Sequence, residues 1–291
     1  MRYTAATLLG KVRQLEIRTR HRSNRMLAGG YHSRFHGRGM SFSEVREYAP
    51  GDDVKTIDWN VTARMRTPYV KVFEEERELI VMLLVDVSAS SLFGTRLRSK
   101  DELIAETGAS ILLSAATNGD RTGLILFSDR VETYVPPKRG KKHVMRILRE
   151  LVDIGNRAPR PQTNVSAALK FLNQVQRRRS IAFVLSDFDA PPYDKELLAT
   201  AHRHDTVGIR IWDEAERVLP DAGLITVQDA ETGARYRLDS SDTKTRAAYS
   251  KGYGERERYT EAVFRHCGVP LLSLATADDP VRVLQNFFQS R

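Results

Sequence analysis

The chain has a single cysteine, Cys267, among its 291 residues. That excludes an internal disulfide and fits a reducing compartment. Nowhere do about 18 apolar residues run together, so no membrane-spanning helix is expected. The first residues carry no apolar stretch of the secretory kind. A cytoplasmic location is therefore expected. The short motifs of common enzyme classes are missing too: there is no GxSxG, no Walker A loop and no HExxH. Gly37-Arg-Gly39 follows no strand-like run and does not read as a phosphate loop. Histidines pair at His32/His36 and His202/His204 with no third ligand at a telling spacing, and read as surface residues. Cys267 adjoins His266 on a helical stretch, where adjacent residues point apart, and reads as a packed thiol.

What remains is the composition of a globular protein, 41% hydrophobic and 29% charged, long enough for one large domain or two modest ones. The net charge of +9 is unevenly placed. Residues 1–40 hold nine Lys or Arg against Glu16 alone, which is +8 of the total. Such an arm suits nucleic acid or an anionic surface. Stacking surfaces for RNA interleave aromatics, however, and only Tyr3, Tyr31 and Phe35 are available here. A solvated arm, or a surface for an acidic protein, is the better reading, and no nucleic acid is expected.

The richest stretch is Leu79–Ser90, LIVMLLVDVSAS. Seven apolar residues suit a strand buried on both faces, as in a parallel sheet. Asp86, Ser88 and Ser90 follow at the carboxyl end, where open α/β sheets place their ligands. From here strands and helices alternate. Ser99 with Glu102 reads as a capping box opening a helix with Leu103, Ile104, Ile111 and Leu112 on one face. Strands are predicted at Thr122–Phe127, Ile181–Leu185, Thr206–Trp212 and Val269–Leu274. Helices are predicted at Lys142–Ile154, after Thr163 or Asn164, at Asp194–His204, over 242–266, and after Asp279-Pro280. Lys138–His143 reads as a solvated turn. Leu224–Gln228 and Ala234–Leu238, flanking a turn at Ala230–Gly233, read as an inserted hairpin. The fold class is α/β: a doubly wound, mostly parallel sheet with helices on both faces. Ahead of it, residues 1–78 form an extension with a helix at Ala5–Ile17, a turn at Pro50-Gly51-Asp52 and a strand at Tyr69–Phe73. The main domain is 79–291.

Three oxygen-bearing clusters end up on one rim: Asp86/Ser88/Ser90, Thr163 at a helix start, and Asp187 after Ile181–Leu185. One carboxylate with neutral hydroxyls is a hard-cation donor set, and Mg²⁺ takes oxygen ligands while keeping several waters. The motifs DVSAS, QTN (Gln162–Asn164) and LSD (Leu185–Asp187) resemble the metal-ion-dependent adhesion site of von Willebrand factor A domains. That resemblance implies Asp86, Ser88, Ser90 and Thr163 as direct ligands of Mg²⁺, or Mn²⁺, with Asp187 acting through water.

A second segment, FSEVREYAPGDDVKTIDWNVTARMRTPYVKVFEEERE (Phe42–Glu78), resembles the signature of domain-of-unknown-function family 58, whose members couple it to a von Willebrand A-like domain. This resemblance implies partnership with a MoxR-type AAA+ ATPase and an unidentified client protein. Within the segment, Arg46, Asp52, Asp53, Asp58, Trp59 and Arg64 read either as a buried ion-pair and packing network or as a partner-docking surface. The expected function is a non-enzymatic, metal-dependent interaction module that takes a partner's acidic residue. The rivals are a Mg²⁺-dependent hydrolase, with Asp187 or Asp189 as base, and nucleic-acid binding through the basic arm.

Overall fold

The computed structural model describes residues 40–75, 79–94, 98–157, 162–228 and 234–289. The expected helix at Ala5–Ile17, most of the basic arm, His32, His36 and the turn at Ala230–Gly233 lie outside the described residues. Two compact units adjoin in sequence between Leu79 and Ile80.

The smaller unit is an antiparallel pair, β1 (Met40–Glu47) and β2 (Tyr69–Glu75), with α1 (Trp59–Met65) in the connection. The connection is held by carboxylates acting on local backbone. Asp52 takes two hydrogen bonds from the Arg46 guanidinium, at 2.8 and 2.7 Å, and a third from Ala49 N–H at 2.8 Å. That closes the turn at Pro50-Gly51, where Gly51 has φ 112°. Asp53 caps a 3-10 turn at Val54–Thr56. Asp58 caps α1 by accepting from Asn60 and Val61 N–H, and lies 3.4 Å from Lys71. A buried network is not what forms. The Arg46–Asp52 pair is at the surface, Arg64 is exposed, and Trp59 is 66% exposed. A two-stranded ribbon and a seven-residue helix supply no second layer to enclose ion pairs, so the carboxylates serve turns and caps instead.

In the larger unit six strands form one sheet: β3 (Ile80–Asp86), β4 (Arg121–Phe127), β5 (Val131–Lys138), β6 (Ile181–Ser186), β7 (Asp205–Trp212) and β10 (Leu271–Ala275). Their order is β10-β7-β6-β3-β4-β5, parallel throughout except for β5, which runs antiparallel to β4. This is the expected α/β architecture, a doubly wound, mostly parallel sheet with helices on both faces. β3 sits near the centre, and every residue from Ile80 to Asp86 is buried, as its unbroken apolar run requires. β5 was not expected. Its sequence VETYVPPK carries Pro136 and Pro137, and proline in a sheet is confined to edges, where the missing N–H costs no ladder bond.

Helices cover both faces. On one side α2 (Lys100–Thr117) packs with α3 (Lys141–Val152) and α8 (Pro280–Gln289). On the other, α4 (Val165–Val175), α5 (Asp194–Arg203) and α7 (Thr243–His266) form a neighbouring row. The alternation of the strands explains the division. Met82 and Leu84 of β3 join Leu169 and Leu172 of α4, Leu197 of α5 and Phe264 of α7 in one core. Phe183 of β6 faces the opposite way, and its ring meets Phe288 of α8 edge to face at 6.2 Å. A short helix, α6 (Glu214–Arg217), follows β7, and the predicted hairpin is present as β8 (Leu224–Gln228) paired antiparallel with β9 (Arg235–Asp239).

His204 corrects the surface reading of the histidines. It closes α5 with its ring turned inward, 1% exposed, accepting from Ser180 N–H at 3.3 Å and lying 3.0 Å from Ser180 Oγ. Burial lowers its pKa to about 4, helped by the Arg203 and Arg179 charges. Cys267 is buried as expected, and burial pushes its thiol up.

One close approach on the α7 side has a measurable consequence. A methyl group at Gly208 of β7 would lie 2.6 Å from Phe264 Cζ and 2.9 Å from Leu271 Cδ1. Phe264 is wedged against Phe188, with ring centroids 4.8 Å apart, so it has nowhere to retreat. Gly208→Ala is expected to cost about 1–3 kcal/mol through overpacking, read as a lower urea midpoint. An unchanged midpoint would show that the ring rearranges freely.

Candidate metal centre

The strand order places the ends of β3 and β6 side by side, while β3 continues to β4 and β6 to β7 in opposite directions. A crevice opens at such a switch point, beyond the carboxyl ends of the strands. Asp86 ends β3 there, 1% exposed. Its Oδ1 accepts from Ser88 N–H at 2.9 Å and its Oδ2 accepts from Ser186 Oγ–H at 2.6 Å. Ser186 Oγ in turn accepts from Phe188 N–H at 3.0 Å. The hydroxyls of Ser88 and Ser90 lie 3.0 Å apart.

Asp187 follows β6 on a strained turn. Phe188 has φ 61°, a left-handed conformation that a bulky residue seldom adopts. Its ring is buried against Phe264 and Tyr193, and that anchorage holds the turn which aims Asp187 into the crevice. Asp187 Oδ2 is 3.0 Å from Lys100 Nζ, and Lys100 Nζ also reaches Glu216 Oε1 at 2.6 Å. Lys100 is 1% exposed. Burial works to lower its pKa, but the two carboxylates outweigh burial and raise it, so it is an ammonium.

The two aspartates are driven apart. Burial, reinforced by the Asp187 charge, pushes Asp86 up to about 6 despite hydrogen bonds from Ser186 and Ser88. Burial would raise Asp187 as well, but the Lys100 charge and the Ser90 hydroxyl outweigh it and hold that carboxyl below the usual range.

Of the residues singled out in the sequence, the structure gathers Asp86, Ser88, Ser90 and Asp187. Thr163 is buried, beside Asn164, which caps α4 and whose N–H donates to Ser128 O at 2.7 Å. Ser128 follows β4, whose Phe127 is the register partner of Asp86, so Thr163 is on the same rim. Asp189 donates its N–H to Asp187 Oδ1 at 3.2 Å, and its carboxylate pairs with Arg256 at 3.1 Å. Sequence reasoning missed Lys100, Glu216 and Ser186. Lys100 did leave a signal: it is the first residue of α2, where the helix dipole disfavours a cation.

The donor chemistry fits a hard cation. Asp86, Ser88 and Ser90 offer one carboxylate and two neutral hydroxyls, and each carboxylate oxygen keeps a lone pair beyond the hydrogen bond it accepts. A gap of about 10 Å³ bounded by Asp86, Ser90, Lys100, Ser186 and Asp187 is near the size of one water or small ion. Among the described residues no group of three or more His, Cys, Asp or Glu could hold a metal. Among the described residues, too, no helix is long and apolar enough to cross a membrane.

The chain is 33% identical over 285 residues, 98% of its length and 90% of theirs, to the uncharacterized proteins Rv1480 of Mycobacterium tuberculosis and Mb1516 of Mycobacterium bovis. A shorter stretch of 109 residues, 38% of this chain, is 33% identical to 25% of the uncharacterized protein YeaD of Bacillus subtilis. Among solved structures, the hypothetical protein BatB of Bacteroides thetaiotaomicron is similar over 72% of this chain and 96% of its own, with 11% identity and a TM-score of 0.44. The SpRpn10 VWA domain is similar over 71% of this chain and 93% of its own, with 12% identity and a TM-score of 0.40. The model of the family described as "Protein of unknown function DUF58" matches residues 44–259. That span begins in β1 and runs through the crevice residues into α7, and with it this chain belongs to the DUF58 family.

Proposed function

We propose that the crevice binds Mg²⁺, or Mn²⁺, through Asp86, Ser88 and Ser90, with Thr163 and Asp187 completing the shell, and that the protein is a non-enzymatic module capturing a carboxylate of a partner. The observation that carries this reading is the convergence of the Asp86, Ser88, Ser90 and Asp187 oxygens, from two strand ends 100 residues apart in sequence, on one buried switch-point crevice. A bound cation would supply a positive charge facing the crevice mouth. The chain's own residues do the rest. Ser186 and the Ser88 N–H orient Asp86, and Lys100 offsets one of the two charges of Asp187 and Glu216, so that the site keeps surplus negative charge for a cation to neutralise.

A hydrolytic reading gains nothing from the site. Asp189, the base it would need, is paired with Arg256, and Asp187 is held by Lys100. The resemblance of Phe42–Glu78 to its family's signature supplies the setting: an adaptor or chaperone-like partner of a MoxR-type AAA+ ATPase acting on a client protein.

The test is an affinity capture with the wild type and Asp86→Ala, each in Mg²⁺ and in EDTA, read by mass spectrometry. The expected result is a MoxR-type ATPase or a defined client held by the wild type in Mg²⁺ and lost in the other three conditions. The same partners held in all four would overturn metal-mediated capture.

A further inference from the structure

Only Arg139 and Gly140 separate β5 from α3, so the stretch that reads as a solvated turn is the end of a strand and the start of a helix. It carries Lys138, Arg139, Lys141 and Lys142, and Arg146 and Arg149 follow on α3; all six are exposed. The buried residues of α3 are Val144, Ile147, Leu148, Leu151 and Val152. At about 100° per residue, Lys142, Arg146 and Arg149 fall in a stripe about 60° wide on the side directly opposite. The acid beside them, Glu150, is bonded to Arg157 at 2.6 Å. Among the described residues no carboxylate pairs with Lys138, Lys142, Arg146 or Arg149. The His143 ring turns inward, 2.8 Å from Thr122 O, and is no part of the stripe.

This placement works against the helix. Cations in a first turn oppose the helix dipole, and like charges three or four residues apart repel. α3 nevertheless opens on Gly140, which has no side chain to cap it, and on Lys141-Lys142, with no acid in its first turn. The other described helices do the opposite. Asp58, Asp213 and Asp242 cap α1, α6 and α7, and Asn164 caps α4. Acids stand in the first turns of α2 and α5, and Asp279 accepts from the first turn of α8. A local rule kept at seven helix starts and broken at one marks a surface that serves something other than stability.

We propose that this cationic stripe docks the protein peripherally on an anionic phospholipid surface, independently of the metal reading above. Attachment of this kind needs a cluster of cations within reach of the headgroups and no apolar contact. The exposed residues of α3 are all Lys or Arg, and none is apolar. Nucleic acid fits less well. Base edges are read by amides, hydroxyls and paired cations in a groove, single strands stack on aromatics, and the stripe holds no amide, hydroxyl or ring. A protein partner would bring an apolar centre to its interface, and the stripe offers nothing to meet it. Position in the fold agrees. Lys138 is the register partner of Thr122 near the start of β4, whereas Phe127 at the end of β4 is the partner of Asp86. The basic strand end therefore lies at the end of the sheet away from the crevice, and docking there leaves the crevice clear of the lipid.

The test is co-sedimentation of the full chain with two kinds of vesicle, phosphatidylcholine alone and equal parts phosphatidylcholine and phosphatidylglycerol. The wild type is compared with a triple variant, Lys142→Gln, Arg146→Gln and Arg149→Gln. Binding is expected only with phosphatidylglycerol, and is expected to vanish at about 1 M salt, where charges act over only about 3 Å. At about fivefold per cation near the surface, the triple variant is expected to bind about a hundredfold more weakly. Its urea midpoint is expected to match or exceed that of the wild type, because the change relieves the dipole and the like-charge pairs. Should the midpoint fall instead, Lys142→Gln alone, expected to weaken binding about fivefold, carries the test. No binding by the wild type, or equal binding to both vesicles, overturns the proposal. So does binding that the variants keep, as the basic arm of residues 1–40 alone would give. Duplex DNA or single-stranded RNA held more tightly than the vesicles, and lost in the triple variant, would assign the stripe to nucleic acid and overturn it too.

Discussion

Lys100→Met is expected to destabilise the protein in EDTA by about 3–5 kcal/mol, the usual cost of leaving buried charges without their partner. The ammonium is almost wholly enclosed and offsets two carboxylates, Asp187 and Glu216, that are themselves mostly covered. Methionine fills much of the same volume, so the loss isolates charge from packing. The same substitution is expected to tighten Mg²⁺ binding by at least about tenfold, equivalent to about 1.4 kcal/mol. A cation entering beside Asp86 no longer meets a resident ammonium, a repulsion of several kcal/mol at the effective dielectric of such sites. Urea denaturation with and without Mg²⁺ reads both effects on one sample. A variant that loses stability but binds Mg²⁺ no better would show that the ion does not approach Lys100, and would displace the proposed centre.

Asp86→Asn is expected to do the reverse in EDTA, raising stability at neutral pH while abolishing stabilisation by Mg²⁺. The carboxyl of Asp86 sits at about 6 when folded against 3.8 in its ordinary state. A group of this kind holds its proton more tightly folded than unfolded. Its contribution to stability is therefore full below pH 4 and lost as the pH rises to 6. The two-unit gap corresponds to about 3 kcal/mol. His204 works in the opposite sense over nearly the same window. Its folded value is about 4 against 6.5, so its contribution is full above pH 6.5 and lost as the pH falls toward 4. The two slopes oppose each other. The wild type is expected to change little between pH 4 and 6.5, while the variant, with only the histidine left, loses stability steadily on acidification. The gap between the two curves grows by about 3 kcal/mol from pH 4 to 6. Urea midpoints across that range test it, and parallel curves would remove Asp86 as the titrating group.

Much of the fold could be read from the sequence because local signals and burial agreed. The seven-residue apolar run became a strand buried at every residue, Asp279-Pro280 opened α8, and Asp242 capped α7. Where two signals conflicted, the reading failed. Val131–Lys138 has the composition of a strand and the prolines of a loop, and only its position at the margin of the sheet reconciles them. Half of the candidate site was legible, since oxygen side chains after a buried strand form a local pattern. The ammonium that balances them comes from a lysine 14 residues after Asp86 and is shared with a glutamate 116 residues beyond that lysine, and no local pattern records such a triangle. The histidine pair misled because spacing alone cannot tell which way a ring turns at the end of a helix.

The prolines of β5 have a consequence for assembly. With no N–H at Pro136 and Pro137, the end of the β5 edge is a poor template for a neighbouring copy, which disfavours fibre growth and continuous-sheet dimers on that flank. The opposite flank, β10, has no proline in its five residues. Joining of two of these sheets backbone to backbone is therefore easier through β10 than through β5, and a pair joined at β10 leaves only the proline-bearing edges free.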